Sequence, residues 1–417
     1  MTDIFTQDIK DLMKLANEDF DKFYKETEKQ NKSSGNYSTA ASSGNYSTAA
    51  SSGDGSQAAS SGYHSQAASS GDGSKAASSG NYSTAASSGN YSTAASSGDG
   101  SQAASSGYHS QAASSGDGSK AASPGNYSTA ASSGNYSTAA SSGDGSQAAS
   151  SGYRSQAASS GDGSKAASSG NYSTAASSGD GSQAASSGYR SQAASSGYRS
   201  QAASSGNGSK AASSGDDSKA ASSGENSACS ALGYRAAVKG DLGNLLMCSE
   251  YSQEGVPLGG KADLVDGKIL KPDCWYIVEG GEWVEVDFTD NLFHYVISTK
   301  GNVKKLKNIH GDTVYLVTDG EHSAHGDTIK QARESLLFKK TDRDTSEYDG
   351  LSLDDKKTPM EWAVAYHVIT GACEYGCKQF MKSKKLKKQY TLREILEETK
   401  GAYGYEKFSE FFKGDVE

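Results

Sequence analysis

Residues 33–77 read "SSGNYSTAASSGNYSTAASSGDGSQAASSGYHSQAASSGDGSKAA" and contain no Leu, Ile, Val, Met, Phe or Trp. The period is nine, S-S-G-x-x-S-x-A-A, and 22 copies follow one another in register from Ser33 to Ser230. A degenerate copy, "ALGYRAAVK", follows at Ala231. Variation falls almost wholly on columns four, five and seven, while Ser, Gly and Ala hold the other six apart from Pro124 and the drifted last copy, "SSGENSACS". The variable pairs run NY, NY, DG, YH, DG, so a 45-residue block lies over the shorter period; it starts at Ser33 and Ser78, and at Ser123 with Arg in place of His. A disordered Ser/Gly linker has this composition too. A linker has no reason to spare six columns, so the pattern predicts an ordered solenoid.

Around Ser-x-Ala the chain alternates. Column-six Ser and column-eight Ala point inward, and Thr, Gln or Lys of column seven points out. Ser-Ser-Gly-x-x turns the corner, with Gly at positive φ and Asn-Tyr or Asp-Gly as turn pairs. One strand and one turn per nonapeptide give two repeats per 18-residue coil, eleven coils and a rod of roughly 50 Å. So thin a core makes backbone hydrogen bonds and inward Ser hydroxyls the main source of order. Because 45 is an odd number of nonapeptides, the block swaps faces at each repetition, and two nearly equivalent faces are expected.

The segment "SGYRSQAASSGDGSKAAS" resembles the repeats of bacterial ice-nucleation proteins, which implies stacked two-strand coils. Arg154, Arg190 and Arg199 echo that pattern near the C-terminal end. The S-x-A…G spacing also resembles the heads of trimeric autotransporter adhesins. Both resemblances cover residues 33–239. Ice-nucleation repeats are built on eight residues and present Thr-x-Thr outward, whereas the outward pair here is Thr, Gln or Lys followed by Ala. That departure weighs against ice binding.

The fold expectation is mainly β: a nonapeptide β-solenoid with an N-terminal helical cap and a C-terminal α+β domain. Residues 1–32 carry Ile9, Leu12, Ala16, Phe20 and Phe23 near helical spacing, as a cap or a self-association helix. Residues 33–239 form the solenoid. Residues 240–290 read as short strands with Asp-Gly and Gly-Gly turns, and Leu245, Leu246 and Met247 arrive where the last coil needs a cover. Residues 291–417 form a small α+β domain ending in helices. There, "HGDTIKQARESLLF" starts a helix after a strand, with Thr328 and Gln331 at capping-box spacing. Its Gly-Asp-Thr-x-x-x-Ala resembles HicB-type antitoxins. Thr358, Pro359 and Glu361 open a second helix running through "TPMEWAVAYHVITGACEYGCKQFM", and Thr391 and Glu394 open a third. The C-terminal half resembles uncharacterised proteins of bacterial genomes and prophages.

Net charge is −9, and five cysteines are too few for a disulfide scaffold. No run approaches the roughly 18 apolar residues of a membrane span. The N-terminus lacks a signal-peptide core, so cytoplasmic placement is the default, with virion or surface association left open. Cys373 and Cys377, with His367, make half a metal site at most. Cys373 with His325 is a pairing on paper. Neither supports a metal, a cofactor or a catalytic residue, and the reading is non-enzymatic. Lys382, Lys384, Lys385, Lys387 and Lys388 form a basic patch. Without Arg or a stacking platform it argues against nucleic acid as the partner. Stacked Tyr residues along an edge would clamp the rod, since a thin Ser/Ala core needs extra apolar cover, or would offer a stacking surface for glycans or a partner. The candidate binding surface is Tyr37, Tyr46, Tyr63 and Tyr153 with Thr39, Thr48, Gln57 and Gln66. The expected function is a structural or binding rod facing an unknown protein, glycan or surface, or another copy of itself, with a C-terminal recognition or assembly module. The alternatives are an ice- or surface-interacting array, and a regulator or enzyme in the C-terminal domain with the rod as spacer.

Overall fold

The computed structural model describes residues 32–288, 293–339, 345–372, 377, 381, 387–402 and 404–412. The helical segment expected over residues 1–32 lies outside them apart from Lys32. The chain divides into two compact units, Met1–Glu285 and Val286–Glu417.

The first unit is a β-solenoid of about 12 turns. Each nonapeptide contributes one five-residue strand, as at Thr129–Ser133 and Thr138–Ser142. Strands 18 residues apart pair in parallel without slippage: Gln111 faces Thr129, and Ala112 faces Ala130. Alternate nonapeptides therefore build two sheets. The first runs from Lys32–Ser34 through Thr48–Ser52 to Ala228–Leu232. The second runs from Thr39–Ser43 through Gln57–Ser61 to Ala237–Gly240. Column-six Ser and column-eight Ala point inward as expected, with Ser137 and Ala130 fully buried.

The facing of column one differs from expectation. The Ser-Ser pair belongs to the strand and not to the corner, and its first member points inward. Ser51, Ser69 and Ser141 are buried. The turn is only Gly-x-x-Ser. At most corners two hydroxyls meet: Ser47 Oγ lies 2.9 Å from Ser60 Oγ, and Ser137 Oγ lies 2.9 Å from Ser150 Oγ. The column-six hydroxyl also reaches a carbonyl of the adjoining coil, as from Ser47 to Ser61 at 3.0 Å. The column-one hydroxyl donates back, from Ser60 to the carbonyl of Ser47 at 3.1 Å. Corner carbonyls that a thin core could not bury alone are thus given partners.

Column three admits only Gly. At Gly134 φ is +115°, and an added Cβ would sit 2.3 Å from the carbonyl oxygen of Gly116 in the coil below. The expected equivalence of the two faces holds for register but not for exposure. Column-nine Ala50, Ala68 and Ala140 of the first sheet are buried, while Ala59, Ala77 and Ala149 of the second are exposed. The nine-residue period does not account for this.

The regular coils end as side chains grow. Leu245–Tyr251 pairs in parallel with Ala228–Leu232 and then antiparallel with Pro257–Leu264. Trp275–Glu279 pairs antiparallel with Ala237–Gly240. Val238, Leu246, Cys248, Val265, Leu270 and Tyr276 join the alanine ladder in one continuous core. Cys229 Sγ donates to the carbonyl of Lys239 and Cys248 Sγ to that of Ala236, each at 3.2 Å.

In the second unit His294–Lys300, Val303–Asn308, Thr313–Thr318 and Ser323–Gly326 form an antiparallel sheet. The helix Ile329–Lys339 packs Ala332 and Leu336 on Val317 and Ala324. Thr328 Oγ1 accepts the Gln331 N–H at 3.2 Å, as the spacing predicts. Thr358 and Glu361 complete a capping box on Pro359–Thr370, and Thr391 and Glu394 another on Leu392–Glu398. The first of these helices does not run through to Cys377. Gly371 takes φ 80° and closes it after Thr370, a left-handed cap of the kind glycine favours. Trp362, Phe408 and Phe412 centre a second core, in which Trp362 Nε1 donates to the carbonyl of Tyr390 at 2.8 Å.

Candidate binding edges of the rod

Turns stack into two edges. The first edge is built from turns 35–38, 53–56, 71–74 and onward in steps of 18, and the second from turns 44–47, 62–65, 80–83 and onward. Column four supplies a ladder of its own. Where it is Asn or Asp, Oδ1 accepts the backbone N–H of column four in the next coil. Asn135 so receives Tyr153 at 3.1 Å, and Asp162 receives Asp180 at 3.0 Å. Turn preference alone does not explain these residues; an acceptor aimed along the rod does.

Column five lies in left-handed backbone in every copy. Where it is not Gly, φ runs from 52° to 60° through Tyr37, Tyr46, His64, Tyr82, Arg154 and Arg235 among others. Each such residue costs about 1–2 kcal/mol relative to a right-handed conformation, and the Asp-Gly copies avoid that cost. The side chains stack along the edge. The His64 ring lies nearly parallel to Tyr46 at 5.3 Å and to Tyr82 at 5.2 Å, and Tyr63 meets His64 edge-on at 4.3 Å. His109 repeats this between Tyr91 and Tyr127. In the third block Tyr136, Tyr153, Tyr172 and Tyr189 follow one another at 5.7 to 5.8 Å. Arg154 and Arg190 lie over Tyr153 and Tyr189 at 5.4 and 5.1 Å. The rings touch, as a clamp requires, yet stay open to solvent. Tyr136 is 57% exposed and Tyr172 39%.

The sequence candidates fall on four surfaces. Tyr37 stands on the first edge, and Tyr46, Tyr63 and Tyr153 on the second. Thr39 and Gln57 face out from the second sheet, Thr48 and Gln66 from the first. Tyr46 and Tyr63 are in contact, with centroids 6.3 Å apart. Sequence reasoning missed the charged residues of the edges, Asp144, Asp162 and Asp180 on the first and Arg154 and Arg190 on the second. Counting in steps of 18 rather than nine exposes them.

Along the outer face of the second sheet runs a shallow groove of about 1460 Å³, lined by column-nine Ala and column-one and column-two Ser and ending at Lys239 and Asp273. Two buried thiols of the first unit, Cys229 and Cys248, are poor nucleophiles. Burial pushes Cys229 up to about 11 and Cys248 up to about 12. In the second unit His367 Nδ1 contacts the carbonyl of Ala372, and Phe338 meets its ring edge-on. Since its helix ends at Gly371, no helical face links His367 to Cys377. Cys373 lies outside the described residues, as do Lys382, Lys384 and Lys385. Lys387 binds Glu394 at 2.9 Å, and Lys388 is exposed. Among the described residues no group of three or more His, Cys, Asp or Glu is placed to hold a metal ion, and no helix is long and apolar enough to cross a membrane.

No family model, curated protein or solved structure matches the chain, so the stacked coil stands on its own residues and not on either family its repeats resemble.

Proposed function

We propose that the protein is a non-enzymatic structural and binding rod whose working surfaces are its two edges, with the C-terminal unit as a recognition or assembly module. The observation that carries this is column five. Seven tyrosines there (Tyr37, Tyr46, Tyr82, Tyr91, Tyr127, Tyr136, Tyr172) hold left-handed backbone while 39% to 83% exposed. Gly occupies the same column elsewhere without strain. Ring–ring contacts return about 0.5–1.5 kcal/mol each, close to the backbone cost. The rings therefore add little net stability, and exposed aromatic ridges are surfaces for protein or glycan contact.

Replacing Tyr82, Tyr91, Tyr127 and Tyr136 together by Gly tests this. Relief of strain and loss of ring contact should nearly cancel, leaving stability within about 2 kcal/mol of the parent. A variant that loses its cooperative β-structure would show that the rings are a clamp, and the working-surface reading fails.

A further inference from the structure

The 18-residue coil and the 45-residue block together set a pattern that neither sets alone. On the second edge, turns 44–83 carry rings (Tyr46, Tyr63 and His64, Tyr82), while the first edge beside them carries Asp54-Gly55 and Asp72-Gly73. The arrangement then inverts. The first edge carries Tyr91, Tyr108, His109 and Tyr127, and the second carries Asp99-Gly100 and Asp117-Gly118. It inverts again: Tyr136, Tyr153, Arg154, Tyr172, Tyr189 and Arg190 on the second edge stand beside Asp144, Asp162 and Asp180 on the first. Away from the start and the two switch points, where Tyr37 stands beside Tyr46, Tyr82 beside Tyr91 and Tyr127 beside Tyr136, a ridge on one edge stands beside a recess on the other.

Each recess is open at its later turns: a Cβ added at Gly73, Gly118, Gly163 or Gly181 would meet no atom within 4 Å, whereas at Gly55, Gly100 and Gly145 it would lie 2.7 to 2.8 Å from the ring of Tyr37, Tyr82 or Tyr127 one coil back. All seven aspartates flanking the recesses are exposed, as are Arg154 and Arg190. Ring-bearing turns outnumber the Asp-Gly turns beside them by one in each block, three to two, three to two, four to three. Ridge turns therefore straddle recess turns.

We propose that the rod packs laterally against a second copy of itself, parallel and in register, with the second edge of one against the first edge of the other. This rests on the reading of the edges as working surfaces and names their partner. Three features select a second copy. Its rungs share the same axial spacing of about 4.8 Å, so contacts stay in phase along the whole rod. Its opposite edge presents a recess wherever this edge presents a ridge. Its charges complement, with Arg154 and Arg190 meeting Asp144, Asp162 and Asp180. Like edges would set rings on rings and Asp99 and Asp117 on their own equivalents. An antiparallel arrangement would face the four-turn ridge with a two-turn recess and leave the three-aspartate row without its arginines. The contact is heterologous, so each pair keeps two free edges and can extend into a row.

Sedimentation velocity on the full chain tests this, with far-UV circular dichroism on the same samples. The parent should self-associate at low salt, and salt should weaken the association. The triple variant Asp144→Asn, Asp162→Asn, Asp180→Asn keeps the column-four ladder, because Asn126 and Asn135 already make it. Its association should be at least about tenfold weaker. Arg154→Asn with Arg190→Asn should do the same, since Asn226 occupies column five natively. For the register, a chain with Arg154→Cys mixed with one carrying Gly163→Cys should cross-link under mild oxidation faster than either alone. A parent that is β-structured yet monomeric up to about 1 mM, or association indifferent to both charge variants, overturns the lateral packing. So does cross-linking no faster in the mixture. A parent without β-structure overturns the rod itself.

Discussion

Two glycine-to-alanine substitutions, one residue type at two columns, measure how closely the coils are stacked. At Gly134, in column three, φ is +115°, outside the left-handed well that L-residues tolerate. The new Cβ would lie 2.3 Å from O and 2.5 Å from C of Gly116. Those are backbone atoms that cannot rotate away. Gly116 must move, yet its N–H donates to the Ser133 carbonyl at 3.0 Å and its own carbonyl accepts the Ser119 N–H at 3.1 Å. Strained backbone costs about 1–3 kcal/mol, overpacking about 1–3, and each ladder bond at risk about 1. Gly134→Ala should cost at least about 4 kcal/mol. At Gly163, in column five, φ is +67° and nothing lies within 4 Å of the added methyl. Only the left-handed cost of about 1–2 kcal/mol applies. Contacts in a solenoid are between nearest neighbours, so the damage is local, and one global unfolding energy would dilute it. Native-state hydrogen exchange reads it directly. Amides from Gly116 to Ser151 should lose protection by a factor of about 1,000 in Gly134→Ala, and by about 5- to 30-fold around Gly163. Equal losses at both positions would refute the coil spacing on which the edges and recesses depend.

Two further expectations follow from burial. Ala130 is fully buried, so Ala130→Leu should cost at least about 1–3 kcal/mol by overpacking, while Thr129→Ala on the outer face should stay within about 0.5 kcal/mol; urea titration separates them. Cys229 and Cys248, raised by burial from the ordinary thiol value of 9.0 to about 11 and about 12, should resist iodoacetamide at pH 8. Above pH 9 the unfolded thiols release protons that the folded ones retain, so stability should fall as pH rises from 9 toward 11. Fast alkylation of the native protein at pH 8 would mean that the cap is open.

Much of this architecture is legible in the residues, because the repeat writes each contact many times. Fixed columns mark what must be small or left-handed, and a nine-residue unit with one strand and one turn leaves two repeats per coil. What stays hidden has physical causes. In the Ser-Ser pair both members are the same residue, so composition cannot say which hydroxyl turns inward; the corner contact between Ser47 and Ser60 decides it. In column four, Asn and Asp suit a turn, and their second use as acceptors for the next coil appears only once coils are stacked. The helix after Thr358 is well capped at its start, but the stop at Gly371 depends on one glycine whose left-handed φ no spacing announces. The binding candidates are scattered over four surfaces because period nine sends neighbouring copies to opposite sheets.

The 45-residue block now has a physical reading beyond duplication. An even number of nonapeptides would return each turn of the block to the same edge every time, with the Asp-Gly turns all on one edge and most rings on the other. One edge would then be a continuous aromatic ridge, a patch of the kind that aggregates without register. The other would be an unbroken column of carboxylates about 4.8 Å apart. Five nonapeptides break both columns. Carboxylates stack at most three deep, at Asp144, Asp162 and Asp180, before the same edge returns to rings. The lysines are kept apart by their spacing: Lys75 pairs with Gln57 and Thr93, and Lys165 with Gln147 and Gln183, so the second sheet sets no two lysines side by side along these rungs. Like charges directly opposite on neighbouring strands are destabilising; one Lys per block keeps them out of these rungs, and the odd block limits them on the edges. Alternation gives each edge a readable sequence of ridges and recesses, and only a partner with the same period and the opposite phase can follow it along the rod.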